Sequence, residues 1–287
     1  MKTVMEIFGI PANLKVAGDV GVEIEVEGER LPPGNKWWKR EVDGSLRGVE
    51  NAEYVLRTPL TIDQLKIALK SLALDYKNHE SKVEESVRAG VHVHVNVQDF
   101  TIVQLYNYIT LYLVFEELLT KYCGSTREGN LFCLRACDAE FLIECLQYAA
   151  QRNRFRALVT DDLRYAAINV KALGNYGSLE FRAMRSTKDF TVIQTWAETL
   201  VRLREVAKGF FEPTDIINGF SEGEVGGFVQ RILGPYAEIF TQEVGYEKAL
   251  IRGMRNAQDV AFCTNWQTLI EKQQKVVFPP DNDEAEF

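Results

Sequence analysis

The sequence predicts an α+β protein in which short strands form a layer that helices cover on one side. Two patterns predict this class. Several short segments alternate apolar and polar residues with period two, which is typical of a strand with one buried and one open face. Longer segments begin with a Thr-x-x-Gln capping box and continue with apolar residues at helical spacing. Apolar helix stripes suit packing against the apolar strand faces, so the polar strand faces are expected to stay open.

The first predicted strand covers residues 21–27. Its apolar residues point to one face, and its glutamates point to the other. Like charges on one strand face repel each other. Either the strand is a solvated edge, or a divalent cation neutralises Glu23 and Glu25, because hard cations take carboxylate oxygens. Glu27 is expected to lie beyond the groove and to be solvated.

A loop and a less regular strand come next. Asp43-Gly44-Ser45-Leu46 forms a predicted turn, in which Asp43 either stabilises the turn or contributes to a binding site. Residues 53–57 alternate less cleanly, but as a strand they place Glu53 and Arg57 on the same face.

The segment Gly90-Val91-His92-Val93-His94-Val95-Asn96 is the most informative one. Its valines share one strand face, while His92, His94 and Asn96 share the other. Two of the chain's three histidines lie here. The segment is either a half-exposed strand with incidental histidines or a strand that lines a reactive groove.

Two later segments repeat this construction. Residues 168–171 place Asn169 on a polar face, and residues 178–182 place Glu180 and Arg182 on one. Carboxylates, imidazoles and a guanidinium on the open face of one sheet predict a catalytic groove.

Capping boxes predict three helices, over residues 61–76, 101–122 and 191–210, each beginning at the threonine of its box. A further helix is predicted over residues 138–151. Its buried side is expected to consist of Phe141, Cys145 and Tyr148.

Composition limits the partners and the setting. Asp and Glu outnumber Lys and Arg by 41 to 33, which gives a net charge of −8. A non-specific nucleic-acid surface needs clustered positive charge, so no nucleic-acid partner is expected. The five cysteines lack zinc-finger spacing and are expected to be reduced thiols. No secretory signal and no apolar run of membrane-spanning length is recognised, so we expect no membrane partner and a cytoplasmic location.

The chain is expected to divide into three parts. Residues 1–212 would form the catalytic domain, and residues 213–278 a helical C-terminal extension packed on it. Residues 279–287 are predicted to be a disordered acidic tail, because they are rich in charge and proline.

In chain order, these motifs resemble the amidoligases. The matching segments are Gly-Val-Glu-Ile-Glu at 21–25, Asp-Gly-Ser-Leu at 43–46, Glu-Tyr-Val-Leu-Arg-Thr-Pro-Leu at 53–60, Ala-Gly-Val-His-Val-His-Val at 89–95 and Leu-Glu-Phe-Arg at 179–182. The resemblance covers roughly residues 18–200. Amidoligases belong to the carboxylate–amine ligase superfamily, with glutamine synthetase and glutamate–cysteine ligase. They are common in phage and bacterial accessory gene sets, so a phage origin, and with it a location in the host cytoplasm, is an expectation of the resemblance.

The resemblance implies the fold of the glutamine synthetase catalytic domain, a curved, largely antiparallel sheet with helices on its outer face. It also implies an ATP-dependent ligase. ATP would phosphorylate a carboxylate to an acyl-phosphate, and an amine would then displace phosphate to form an amide or peptide bond. The implied cofactors are ATP and Mg²⁺ or Mn²⁺, and the implied partners are small-molecule or peptide carboxylates and amines. Assembly as a homo-oligomer, or with a partner protein, stays open.

Roles follow from the resemblance position by position. It implies metal ligands at Glu23, Glu25, Glu53, His92 and Glu180. It implies catalytic roles for Glu180, Arg182, His94 and Asn96. It implies substrate contacts from Asp43, His94 and Asn96. It implies nucleotide contacts from Arg182, Arg164, Arg135 and Asn169.

Two other functions compete with the ligase. A metal-dependent hydrolase would use Glu23, Glu25, His92 and His94. A non-catalytic binding module would retain the sheet without turnover. The sequence contains no glycine-rich phosphate loop with a lysine, so ATP binding would depend on the sheet groove. Nucleotide binding discriminates the ligase from both alternatives.

Overall fold

The computed structural model describes residues 1–159 and 165–275, and within them seven strands form one sheet. The strands are β1 (Val20–Glu29), β2 (Trp38–Glu41), β3 (Glu50–Leu56), β4 (Lys82–Glu84), β5 (Gly90–Asn96), β6 (Ile168–Asn169) and β7 (Ser178–Arg185). Their order across the sheet is β2-β3-β1-β5-β7-β6, and β4 pairs with the last residues of β1. All of these pairs are antiparallel.

The described residues also contain eleven α-helices. They are α1 (Val4–Phe8), α2 (Ile62–Asn78), α3 (Ile102–Cys123), α4 (Glu140–Arg152), α5 (Ala172–Tyr176), α6 (Phe190–Ala207), α7 (Pro213–Ser221), α8 (Val225–Leu233), α9 (Ala237–Thr241), α10 (Tyr246–Ala261) and α11 (Trp266–Lys275). Short 3-10 turns lie at Ala12–Leu14, Ser125–Arg127, Phe155–Leu158 and Gly234–Tyr236.

One face of the sheet is apolar and is covered by helices α3 and α6. The valines of β5 are fully buried on this face. On β7, the ring of Phe181 contacts those of Tyr108 and Tyr112 of α3, with centroids 5.5 and 4.9 Å apart. Aromatic pairs at such distances add to the free energy gained by burying apolar area. The predicted α+β class, with helices on one side of an antiparallel sheet, is therefore confirmed. The closer likeness to glutamine synthetase stays a prediction.

Two of the three predicted capping boxes are confirmed. Thr61 and Thr101 each accept a hydrogen bond from the backbone N–H of the glutamine three residues later, whose side chain accepts one in return. The box predicted at Thr191 is wrong. Helix α6 begins at Phe190, and the Asp189 carboxylate accepts the backbone N–H of Thr191 at 3.0 Å. Because Asp189 already binds this first-turn donor, Thr191 lies inside the helix.

Helix α4 forms as predicted, but of its predicted buried side only Cys145 packs, partly buried, against the core. Phe141 and Tyr148 are about half exposed, at 47% and 46%. The buried residues are Leu142, Leu146 and Ala149. These residues form a second stripe at helical spacing, next to the aromatic one. Pattern alone could not decide between two adjacent apolar stripes, and packing selected the aliphatic one.

The helices after residue 212 pack on α3, above all α10. Gly253 allows the close approach of α10, because a Cβ there would lie 2.3 Å from the carbonyl oxygen of Val114. The division at residue 212 stays a prediction. The predicted acidic tail, residues 279–287, lies outside the described residues.

The five cysteines are free thiols, in line with the expected reduced state. Within residues 1–159 and 165–275, no helix combines the length and the hydrophobicity that crossing a membrane requires.

Candidate active site

The strand register brings the predicted polar residues to one face of the sheet. Residues directly opposite each other on neighbouring antiparallel strands point to the same face. Glu23 of β1 pairs with His92 of β5, and His94 of β5 pairs with Glu180 of β7. This polar face lies opposite the helix layer and forms a groove across the centre of the sheet.

A compact cluster of carboxylates and imidazoles occupies the centre of the groove. His92 Nδ1 lies 3.3 Å from Glu23 Oε2 and 3.6 Å from Glu180 Oε1, and His92 Nε2 lies 3.8 Å from Glu25 Oε1. His94 Nε2 lies 3.5 Å from Glu23 Oε1. Two imidazoles therefore lie among three carboxylates, and His92, Glu25 and Glu180 are each less than 10% exposed.

Glu180 has partners on two further elements. Asn169 of β6 donates its side-chain N–H to Glu180 Oε2 at 2.6 Å. The guanidinium of Arg182 contacts the other oxygen, Oε1. Both oxygens of a buried carboxylate are thereby satisfied, which fixes its orientation.

Burial and neighbouring charges act in opposite directions on Glu23 and His94. Burial raises the pKa of Glu23, but hydrogen bonds from His92 and His94 outweigh it, so that this pKa lies well below its ordinary value. Burial lowers the pKa of His94, but the carboxylates of Glu23 and Glu180 outweigh it and raise this pKa. The cluster therefore favours positive charge at its centre.

One end of the groove is acidic. Glu25 pairs with Glu53 in the β1–β3 register. Burial, together with the charges of Glu23 and Glu25, raises the pKa of Glu53 to about 7. Burial also raises the pKa of Glu25, although the backbone N–H of Gly90 donates to its Oε2 at 2.9 Å. The carboxylate of Asp43 contributes to both shifts, so the loop that carries it lies close to this end.

The other end of the groove opens into a cavity of about 380 Å³. Its lining includes Glu23 and His94 together with Leu14, Val16, Val55, Arg57, Pro59, Asn96 and Tyr176. The Tyr176 ring packs edge-on against His94, with centroids 5.7 Å apart. The predicted Asn96 lines the cavity but also donates to the carbonyls of Val16 and Gly18, so it holds part of the wall in place.

A β-bulge lies beside the cluster. Between the pairs Val91–Met184 and Val93–Phe181, the single residue His92 lies opposite two residues of β7, Arg182 and Ala183. Bulges occur next to active sites, where the extra residue redirects a side chain. Here the bulge lies at the residue whose guanidinium contacts Glu180.

The donor atoms at the centre fit a divalent cation. One ligand atom each of Glu23, His94 and Glu180 lies within 4.8 Å of the others. Carboxylate oxygens with one imidazole nitrogen suit Mg²⁺ or Mn²⁺. His92 and Glu25 lie beside these three residues, so they too could contribute to such a site.

Two sequence-based expectations turn out differently, and a third concerns a residue outside the described part of the chain. Arg135 does not reach this cluster, because its guanidinium contacts Glu117 of α3 at 3.0 Å and Asp138 at 3.1 Å. Glu27 is 8% exposed rather than solvated, and the backbone N–H of Arg47 donates to it at 2.6 Å because the loop after Asp43 folds over it. Arg164 lies outside the described residues.

Other groove residues escaped the sequence analysis. Ser178 Oγ lies 3.2 Å from His94 Nδ1 and fixes the ring from the side opposite Glu23. Gln98 is buried and donates to the carbonyls of Leu14 and Tyr176, which ties two cavity walls together. Period two along β5 and β7 could have indicated both residues, since each continues the polar face of its strand.

The fold and the groove define an α+β protein whose open sheet face carries a carboxylate–imidazole cluster suited to a divalent cation. The family model described as Putative amidoligase enzyme matches residues 18–204, and the chain belongs to this amidoligase family. The match spans every residue of the cluster. No match was found among curated proteins.

Proposed function

We propose that this amidoligase is an ATP-dependent carboxylate–amine ligase that forms an amide or peptide bond through an acyl-phosphate. The observation that carries the proposal is the central cluster, in which Arg182 lies against a set of donor atoms suited to Mg²⁺ or Mn²⁺. Phosphoryl transfer concentrates negative charge, and a guanidinium beside a divalent cation is the usual way to stabilise it.

Glu23, His94 and Glu180 would hold the divalent cation, and Glu25, His92 and Glu53 are the remaining candidate ligands. The bound cation would neutralise phosphate oxygens and orient them. The protein's own contribution is to keep these donors rigid. Asn169 and Arg182 fix Glu180, and Ser178 fixes His94.

The reaction would take place in two steps. A substrate carboxylate oxygen attacks the γ-phosphorus of ATP, the bond to the β-phosphate oxygen breaks, and ADP leaves. An uncharged amine nitrogen would then attack the acyl-phosphate carbon, the bond from this carbon to the phosphate oxygen would break, and the proton lost by the nitrogen would leave with phosphate as HPO₄²⁻. Arg182 would stabilise the charge on the transferred phosphoryl group, and Glu180 and His94 would orient the reacting groups.

We assign the cavity beside His94 to the nucleotide. Its walls are largely apolar, and the exposed Tyr176 ring and the Arg57 guanidinium offer surfaces on which a heteroaromatic base can stack. We assign the acidic end of the groove, near Glu53 and Asp43, to the amine substrate, because the amine carries a positive charge before it reacts.

The test is calorimetric titration of the full chain with ADP or a non-hydrolysable ATP analogue, with and without Mg²⁺. We expect Mg²⁺-dependent binding that Glu23→Ala abolishes. Glu29→Ala is the matched control, because Glu29 ends the same strand, is exposed, and forms an ion pair with Lys82 outside the cluster. Binding in wild type and in this control, but not in Glu23→Ala, supports the ligase.

Absence of nucleotide binding with any divalent ion would refute the ligase. Metal-dependent turnover without nucleotide would then identify a hydrolase that uses the same carboxylates and histidines. If the protein shows neither nucleotide binding nor metal-dependent turnover, the remaining function is a non-catalytic binding module.

A further inference from the structure

Arg127 is a buried cation that the cluster itself does not explain. It ends the 3-10 turn after α3 and is 1% exposed. Within residues 1–159 and 165–275, no carboxylate lies within ion-pair distance of its guanidinium. Burying an unpaired charge is costly unless other groups compensate it.

Three backbone carbonyls provide this compensation. Nη2 donates to the carbonyl oxygen of Arg182 at 2.8 Å, Nε to that of Ala183 at 3.2 Å, and Nη1 to that of Ala89 at 3.4 Å. Hydrogen bonds from a charged donor are about twice as strong as neutral ones. The planar guanidinium can serve three acceptors at once, whereas a lysine cannot match that fork.

Two of these carbonyls belong to the bulge of β7. Strand β6 pairs with Glu180 and Phe181, and the backbone N–H of Arg182 still donates to the carbonyl of Ala167 at 2.8 Å, where this pairing ends. The guanidinium of Arg127 supplies donors to the next two carbonyls, those of Arg182 and Ala183. It thus fixes the backbone from which Arg182 reaches Glu180.

The third carbonyl leads to the opposite side of the cluster. Ala89 and Gly90 share one peptide group, whose C=O accepts from Arg127 and whose N–H donates to Glu25 Oε2 at 2.9 Å. Gly90 permits this arrangement, because a Cβ there would lie 3.0 Å from Arg127 Nη2. One guanidinium is therefore connected to Glu25 through one peptide group and to Arg182 through another.

We propose that Arg127 is a positioning residue that sets Glu25 and Arg182 at their places on the two sides of the cluster. Arg127 is buried, and its guanidinium acts through the three peptide groups whose carbonyls it binds, those of Ala89, Arg182 and Ala183. The proposal rests on the proposed function, since it assigns Arg127 a role in holding the metal ligands and the phosphate-binding arginine.

The test compares Arg127→Met and Arg127→Lys with wild type in the full chain. Arg202→Met is the matched control, because Arg202 also donates to two backbone carbonyls, those of Ile232 and Arg231, but lies on α6 beside α8. The first readout is Mn²⁺ affinity, from the paramagnetic resonance signal of the free ion. The second is the Gly90 amide resonance in the ¹H–¹⁵N spectrum, which reports its hydrogen bond to Glu25.

We expect Arg127→Met to bind Mn²⁺ about tenfold more weakly or worse, as is typical for residues that orient metal ligands. Arg127→Lys should recover part of the loss, and Arg202→Met should bind as wild type does. The Gly90 amide proton should move upfield in Arg127→Met alone, because its peptide group loses the polarising cation.

Unchanged Mn²⁺ affinity in Arg127→Met, or an unmoved Gly90 amide, would overturn the proposal. If Arg127→Met does not fold, Arg127→Lys is judged by the same two readouts, and Gly90→Ala by its Mn²⁺ affinity. Failure of wild type to bind Mn²⁺ and nucleotide would instead refute the proposed function, while the Gly90 resonance still reports whether Arg127 acts on that peptide.

Discussion

Glu23 and Glu116 show how the partners of a carboxyl decide its charge state. Desolvation raises the pKa of each, although the Glu23 side chain is 29% exposed and Glu116 only 2%. Glu23 is compensated by two imidazoles, so its pKa is low. Glu116 lies inside α3, where one oxygen accepts the backbone N–H of Ala136 at 2.8 Å. Its other oxygen has no hydrogen-bond partner among the described residues, and burial raises its pKa to about 8.

This raised pKa predicts a pH-dependent stability. The Glu116 carboxyl binds its proton more tightly in the folded protein than in the unfolded chain, whose value is near 4.5. The contribution of Glu116 to the free energy of unfolding should therefore fall as pH rises from about 4.5 to about 8, by at most about 1.4 kcal/mol per pH unit, and change no further above that. Glu116→Gln mimics the protonated form and should lack this dependence.

The measurement is urea unfolding of wild type and Glu116→Gln between pH 4.5 and 8.5. The free energy of unfolding of Glu116→Gln, relative to that of wild type, should increase as pH rises across this window. Glu238→Gln, an exposed glutamate on α9, is the control and should differ from wild type by a constant amount. A constant difference for Glu116→Gln as well would contradict the prediction.

At the scale of the element, a capping-box motif predicted where helices begin. In the structure, a helix begins where a side chain accepts a hydrogen bond from a free N–H of the first turn. Thr101 caps α3, whereas Asp189 takes that role at α6, where the sequence pattern favoured Thr191. The competing cap lay only two residues upstream. Both residue types are good caps, so sequence preference could not separate them.

The caps give a paired prediction on stability. Thr101→Ala and Asp189→Ala should each cost about 1 kcal/mol in the free energy of unfolding, because each leaves a first-turn N–H without its partner. Thr191→Ala should change stability by less than about half of that. Urea midpoints of the three variants provide the measurement, and equal losses in Thr101→Ala and Thr191→Ala would contradict the assignment.

At the scale of the whole molecule, the helices after residue 212 and the sheet share α3 as a common support. Helix α3 contacts β7 on one side and α10 on another, and nearly all of its residues are buried. Its end leads directly into the turn that carries Arg127. Weakening the contact between α10 and α3 should therefore lower the stability of the whole fold, not that of the C-terminal helices alone.

Gly253 allows a direct test of this coupling. Gly253→Ala places a methyl group against the Val114 carbonyl, so α10 must move away from α3, at a cost of about 1–3 kcal/mol. Gly227→Ala on α8 meets no atom within 4 Å and should be neutral or mildly stabilising. Calorimetry should show one unfolding transition, shifted down only in Gly253→Ala. A separate low-temperature transition would instead support an independent C-terminal unit.

The sequence by itself determined which residues share the polar face. The alternation of side chains along a strand is local, so Glu23, Glu25, His92, His94 and Glu180 could be grouped before any pairing was known. Helix positions followed for the same reason, since capping boxes and apolar spacing act within one or two turns.

Only the tertiary structure decided how these residues meet. The β1–β5–β7 register, the bulge opposite His92 and the buried guanidinium of Arg127 join segments far apart in the chain. Arg135 carries the same charge as Arg182, yet it pairs with Glu117 on the helical side. The sequence determines the charge of each residue directly. The partners of that charge depend on long-range packing, because the native state is the free-energy minimum of the whole chain.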